Sequence, residues 1–235
     1  MIEKNIFQSW HTSNLHPIIQ GKIDLFKKLN PLYTYHLYLD DDMDKFVNEH
    51  FKGEIAECYN KLNIIVAKVD FWRYLVLYKY GGVYLDMDSN IEKSLDELIK
   101  DDDQAIVTAE GNPGLYVQWA LIFSKQHPIL KKTIDLVVNN IKNNSYPNDI
   151  HKMTGPTVYT RAINEIQTEL FNNEIINHNQ ITKNTDIIYK SNNTSYRLYG
   201  MDYNDYFCFK HDGISYLYNN KKHWRQEQCE KPLLK

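Results

Sequence analysis

Two aspartates one residue apart, Asp86 and Asp88, follow the short apolar run Val83-Tyr84-Leu85. In an extended chain the period of two sets both carboxylates on one side and Met87 on the other. Such a pair presents hard oxygens to Mg2+ or Mn2+, ions that keep some waters and draw further ligands from phosphate groups. The spacing is not specific by itself, because Asp40, Asp42 and Asp44 repeat it where the chain reads as loop or helix cap, as does Asp101–Asp103. An isolated pair of this kind is as consistent with a solvated turn. The apolar strand ahead of 86 and 88 is what sets them apart.

A second pair, Asp70 and Arg73, lies three residues apart in Ile64–Tyr80, a segment apolar nearly all round and so expected to be a buried helix. The two side chains share a face, which allows an intrahelical ion pair. It equally allows a pocket in which the carboxylate holds sugar hydroxyls and the guanidinium a phosphate or carboxylate. Buried charge is costly, so either way something must satisfy both. Near the carboxyl end, His211 and His223-Trp224 surround Lys221, Lys222 and Arg225, a cluster that either neutralises a diphosphate or forms an exposed basic patch. A lone histidine is more often structural than a metal ligand.

The elements that must position these groups alternate. Ile2–Trp10 reads as a strand, Ile18–Leu29 as a helix and Tyr33–Leu39 as a second strand. Helices are expected over Asp42–Phe51, Ile55–Leu62 and Ile64–Tyr80, the last stopped by Gly81-Gly82. Val83–Leu85 and Ala105–Thr108 read as strands, and Val117–Phe123, Ile129–Ile141 and Val158–Leu170 as mostly helical. Leu39–Asp44, Asn139–Asp149 and Lys190–Ser195 read as irregular. The pattern implies an α/β architecture on a mainly parallel sheet, where ligands bind beyond the carboxyl ends of strands. The first strand runs there into Gln8 and Trp10, the third into Asp86-Met87-Asp88.

The 235 residues suit a single domain over 1–235. With 43% hydrophobic and 24% charged residues the chain is too apolar for disorder. A net charge of −3 and no basic run beyond two residues argue against a nucleic-acid partner. Three cysteines without C-x-x-C spacing indicate neither a disulfide framework nor a zinc site. The amino terminus has no signal-peptide pattern and no stretch of eighteen apolar residues occurs, so a cytoplasmic location is expected, with peripheral membrane association left open.

The block KVDFWRYLVLYKYGGVYLDMDSNI, residues 68–91, resembles the signature of family-32 glycosyltransferases, the group of yeast-type initiating mannosyltransferases and many bacterial capsule sugar transferases. It is similar, more distantly, to the glucosyltransferase domain of large clostridial toxins. IFQSWHT (6–12), VQWALIFSKQHPIL (117–130), TGPTVYT (154–160) and CFKHDG through HWR (208–225) resemble further family segments in the family's order, the second of them its central helix motif. The resemblance implies a GT-A-type, Rossmann-like fold and retaining transfer of a hexose from a UDP- or GDP-linked nucleotide-diphosphate sugar to a glycan or other hydroxyl acceptor, with Mn2+ or Mg2+. By the same resemblance Asp88 would bind the metal directly, Asp86 would lie near ribose and sugar with its metal contact through water, and Asp70 and Arg73 would grip the sugar. Trp10, Gln8 and Tyr84 would shape the nucleoside pocket, and Trp224 would cover the diphosphate or anomeric region. His223 stands where the family often has serine, which leaves His211 and His223 as candidates for a third metal ligand. Two rivals stand beside this reading. An Asp-x-Asp phosphatase is disfavoured because its loop normally continues Gly-Thr/Val near the first strand, whereas Ser89-Asn90 follow here. A non-catalytic nucleotide-sugar or glycan-binding module is kept alive by His223.

Overall fold

The computed structural model describes residues 1–172, 174–208, 217 and 223–235. The chain opens with β1 (Asn5–Ser9), α1 (Pro17–Leu29) and β2 (Thr34–Tyr38), then α2 (Asp40–His50), α3 (Glu54–Lys61) and α4 (Ile65–Tyr80). There follow β3 (Gly82–Leu85), β4 (Asn90–Ile91), α5 (Leu95–Leu98), β5 (Ala105–Ala109) and β6 (Ala120–Phe123). The rest comprises α6 (Pro128–Lys142), α7 (Ile150–Met153), α8 (Pro156–Glu169), β7 (Asp186–Ser191), β8 (Thr194–Met201), β9 (Phe207–Cys208) and α9 (Trp224–Glu230). Seven strands form one sheet in the order β2-β1-β3-β6-β5-β8-β7, and β4 pairs with β9 in a small second sheet. Five of the seven share a direction; β6 and β7 run against their neighbours.

Side chains alternate across this sheet as the strand period requires. Phe7, Tyr84, Leu121, Phe123 and Val107 face one core with α2, α3, α4, α6 and α8. Ile6, Val83, Leu85, Ile122 and Ile106 face a second core with Phe26 of α1 and Leu95 and Leu98 of α5. α4 is buried over most of its surface, as its all-round apolar sequence predicts, and ends at Gly81, whose φ of 66° suits glycine. Gly82 then lies so close to β1 that a Cβ there would sit 2.6 Å from the Asn5 carbonyl oxygen.

Several expectations are corrected. Within Val117–Phe123, Ala120–Phe123 is the strand β6: four apolar residues buried on both faces carry no period that separates strand from helix. Lys190–Ser195 is not irregular but the tip of the β7–β8 hairpin, turning at Asn192 with φ 51°. α6 continues to Lys142 inside the stretch read as irregular, and α2 starts at Asp40 inside another. Asp103, read as a loop or cap residue, is buried and holds Arg197 of β8 through two bonds of 3.0 and 2.6 Å. At the edge where β3 ends, β5 and β6 are joined by a hairpin over 110–115, closed by an Ala109–Tyr116 bridge.

His127 caps α6. Its Nδ1 accepts from the Ile129 N–H at 3.3 Å and its Nε2 faces the Ser195 carbonyl of β8 at 3.0 Å, which fixes the neutral Nε2–H tautomer. Burial drives its pKa down to about 4, against the opposing pull of Ser195. The unfolded chain therefore binds a proton that the folded one refuses between pH 6.5 and about 4, and stability falls as pH falls through that window. Urea unfolding across it is expected to show a loss of about 3 kcal/mol that a His127→Asn variant lacks.

Candidate active site

β3 delivers the site. Beyond Leu85 the backbone keeps one more link to its neighbour, the Asp86 N–H donating to the Trp119 carbonyl at 2.8 Å, and then turns, with Ser89 N–H bonded to the Asp86 carbonyl at 3.0 Å. The extended alternation expected for Asp86 and Asp88 therefore stops at Asp86. Met87 is buried with Trp10 and with Ile19 and Ile23 of α1, which pins the turn from below and leaves Asp88 half-buried. Gln8, fully buried at the end of β1, donates from Nε2 to the Asp86 carbonyl at 3.3 Å and accepts from Tyr35 Oη at 2.9 Å.

Asp86 is oriented through one oxygen. Its Oδ1 accepts from Tyr84 Oη at 2.6 Å and from the Arg73 guanidinium at 3.1 Å, while no described residue bonds Oδ2. Arg73 is only 4% exposed and lies over the Tyr84 ring at 4.5 Å. Its other terminal nitrogen donates to the backbone and side-chain oxygens of Gln118, both at 2.9 Å. Asp70, 5% exposed, pairs with the same guanidinium at 3.2 Å, accepts from Gln118 Nε2 at 3.0 Å on Oδ1 and from Thr154 Oγ1 at 3.2 Å on Oδ2. Gln118 Nε2 also reaches Tyr74 Oη at 2.9 Å, and Tyr74 donates to the Thr154 carbonyl at 3.0 Å.

The intrahelical pair and the buried polar cluster are thus one object, with two carboxylates facing a single guanidinium. Burial raises the pKa of Asp70, opposed chiefly by Arg73 and the Gln118 bond. Burial also works against the charge on Arg73, yet Asp86, Tyr84 and Asp70 together raise its pKa. Gly155 closes the back wall: a Cβ there would lie 3.3 Å from Asp70 Oδ2 and 3.0 Å from the His151 Cα.

The remaining candidates come near the cluster less directly. Trp224 opens α9, half-buried against His151 with ring centroids 5.5 Å apart, and Arg225 lies 5.1 Å over its ring. Gln228 Oε1 accepts from the Ile150 N–H at 3.2 Å and fastens α9 to α7. His223 is the exposed N-cap of α9, its Nδ1 accepting from the Arg225 N–H. His211, Lys221 and Lys222 lie outside the described residues. Among those described, no three His, Cys, Asp or Glu side chains converge as a metal site. Gln118, Tyr74 and Thr154 escaped the sequence reading as site residues. The available signal was a lone amide inside the apolar run 117–123, where an unpaired polar group would be costly.

Residues 16–105 match the family described as the glycosyltransferase sugar-binding region containing the DXD motif. Over that segment the chain is similar to the DXD glycosyltransferases. It is 29% identical over 133 residues to inositol phosphoceramide mannosyltransferase 3 of Schizosaccharomyces pombe, covering 57% of this chain and 36% of that one. It is 23% identical over 220 residues to the initiation-specific alpha-1,6-mannosyltransferase of Candida albicans, covering 77% and 56%. The chain thus spans only part of the length of these relatives. Its fold is that of the PaToxG glycosyltransferase, with a TM-score of 0.57 at 22% identity over 70% of this chain and 68% of that one. The ligand-free glycosyltransferase domain of the YGT toxin aligns with a TM-score of 0.51 at 10% identity, over 71% and 78%. Both are glycosyltransferases of GT-A type.

Arg73→Lys keeps one charge but cannot span four acceptors held by a planar fork. Urea unfolding at neutral pH is expected to report a loss of about 3–5 kcal/mol, the range for breaking a buried charge cluster. An unchanged midpoint would mean that the cluster does not hold the site together.

Proposed function

We propose that the chain is a metal-dependent hexosyltransferase that moves a sugar, mannose by the names of its relatives, from a nucleotide diphosphate to a hydroxyl acceptor with retention at the anomeric carbon. The observation that carries this reading is Asp86 at the strand end, one oxygen locked by Tyr84 and Arg73 and the other without a described partner, with Asp88 two residues on. The two carboxylates are the donor set a hard divalent cation accepts when the remaining ligands come from a substrate's phosphates. Mn2+ or Mg2+, when bound, would neutralise the charge that builds on the departing diphosphate. By the family resemblance Asp88 is the carboxylate for direct metal contact and Asp86 the one for the ribose and sugar side.

Asp70 and Arg73 form the floor of the sugar site, fixing Asp86 and the orientation of the hexose against the acceptor. Trp10, with Met87, lines the nucleoside end, and Trp224, carried by α9 against His151, covers the diphosphate and shields it from water. Retention without a covalent intermediate fits the state of Asp70, whose two oxygens are both engaged by protein donors and so are poorly placed for nucleophilic attack. The acceptor would then enter on the face from which the diphosphate leaves. The acceptor named by the first of these relatives is an inositol phosphoceramide.

The test is hydrolysis of nucleotide sugars without acceptor, with and without Mn2+. Release of free sugar that needs the metal, and that falls at least about a hundredfold in Asp88→Asn while the fold is kept, is the expected result. Release of inorganic phosphate, or full activity in the variant, would remove the reading. Trp10→Ala is expected to weaken nucleoside-diphosphate binding by about threefold to tenfold in a calorimetric titration. Unchanged affinity would return Trp10 to the core alone.

A further inference from the structure

The outward side of α1 takes no part in the site. Ile18, Leu25 and Leu32 are among the few large apolar side chains exposed in the described residues, and Leu32, in the turn that ends the helix, is 67% exposed. Ile18 and Leu25 are seven residues apart and share a face, with Lys22 between them and the partly exposed Leu29 beside them. At 3.6 residues per turn this stripe lies about a quarter turn or more around the helix from Ile19, Ile23 and Phe26, which are buried. α1 therefore has two apolar stripes, and the described residues cover one.

Charge decides what covers the other. The helix carries Lys22, Lys27 and Lys28 against the single acid Asp24, on a chain whose net charge is −3. Lys27 sits 5.1 Å over the Tyr35 ring, and Asp24 accepts from Gln20 at 2.9 Å, so Lys22 and Lys28 are the cations that flank the apolar stripe. Apolar side chains bordered by lysines on one helix face match the acyl-headgroup boundary of an anionic bilayer, while a protein surface as acidic as this one's own would still need an apolar patch of its own to meet it.

We propose that the Ile18–Leu25–Leu32 face of α1 docks on an anionic lipid membrane, with the apolar groups at the acyl boundary and Lys22 and Lys28 on the headgroup phosphates. No described helix is long and apolar enough to cross a membrane, so this contact is a surface one. The inner stripe of the same helix packs on Trp10 and Met87, which brings the Asp86–Asp88 turn to the bilayer with it. The proposal rests on α1 alone and stands or falls independently of the transfer reaction.

Co-sedimentation with phosphatidylcholine vesicles, and with the same vesicles containing phosphatidylserine, tests it. The full chain is expected to pellet with the anionic vesicles and to be released by high salt. Leu25→Ser with Leu32→Ser, and separately Lys22→Glu with Lys28→Glu, are each expected to lower partitioning at least about tenfold while far-ultraviolet circular dichroism and melting stay as in the parent. Four outcomes overturn it: a chain that stays in the supernatant with both vesicles, equal pelleting with both, variants that pellet like the parent, or a concentration-dependent dimer in light scattering that the leucine substitutions abolish. The last would assign the stripe to a second copy.

Discussion

One guanidinium holds the candidate site together. Arg73 rises from α4 into the interior and meets two carboxylates from different parts of the chain, Asp70 on its own helix and Asp86 beyond β3. A charge that deep is tolerable only if nearly every donor finds an acceptor, and Gln118, from the strand-side segment ahead of β6, supplies two more. The helix, the central strand and the antiparallel strand are thereby tied at one point.

That arrangement explains the apolar character of the elements around it. α4 is buried on nearly all sides because it is the shaft that carries Asp70 and Arg73 to the sheet, and β3 is buried on both faces because it carries Tyr84 to the same place. A partly satisfied polar network inside such a core would cost more than an apolar filling. Here the hydroxyls of Tyr74, Tyr84 and Thr154 and the amide of Gln118 complete it, leaving Arg73 Nε as its orphan. The consequence is a carboxylate at a strand end whose direction is set before any ligand arrives, which is what electrostatic preorganisation requires.

Much of this was legible in the sequence where one physical signal dominated. The apolar surround of residues 64–80 and the glycine pair after it marked α4 and its end, and the β-α-β opening followed from plain periodicity. The charged members of the cluster could be picked out because aspartate and arginine are conspicuous in an apolar helix. Gln118 stood out only as a lone amide in a short apolar run, with nothing to distinguish strand from helix there or to say which neighbour the amide would meet. The β7–β8 hairpin was hidden for the opposite reason. Its tip, Lys190–Ser195, is polar throughout, so it reads as loop until the pairing of β7 with β8 is seen. Asp103 likewise looked like part of an acidic turn because its partner, Arg197, is 94 residues away.

The reversed direction of β6 has an evolutionary corollary. Because that strand returns to the sheet from the end where β3 leaves, the hairpin over 110–115 stands on the rim beside the Asp86 turn, with Gly111 through Gly114 in solvent. Tips of this kind absorb inserted residues without disturbing the ladders beneath them. That rim can therefore be lengthened or reshaped while the Asp70–Arg73–Asp86 cluster behind it stays fixed.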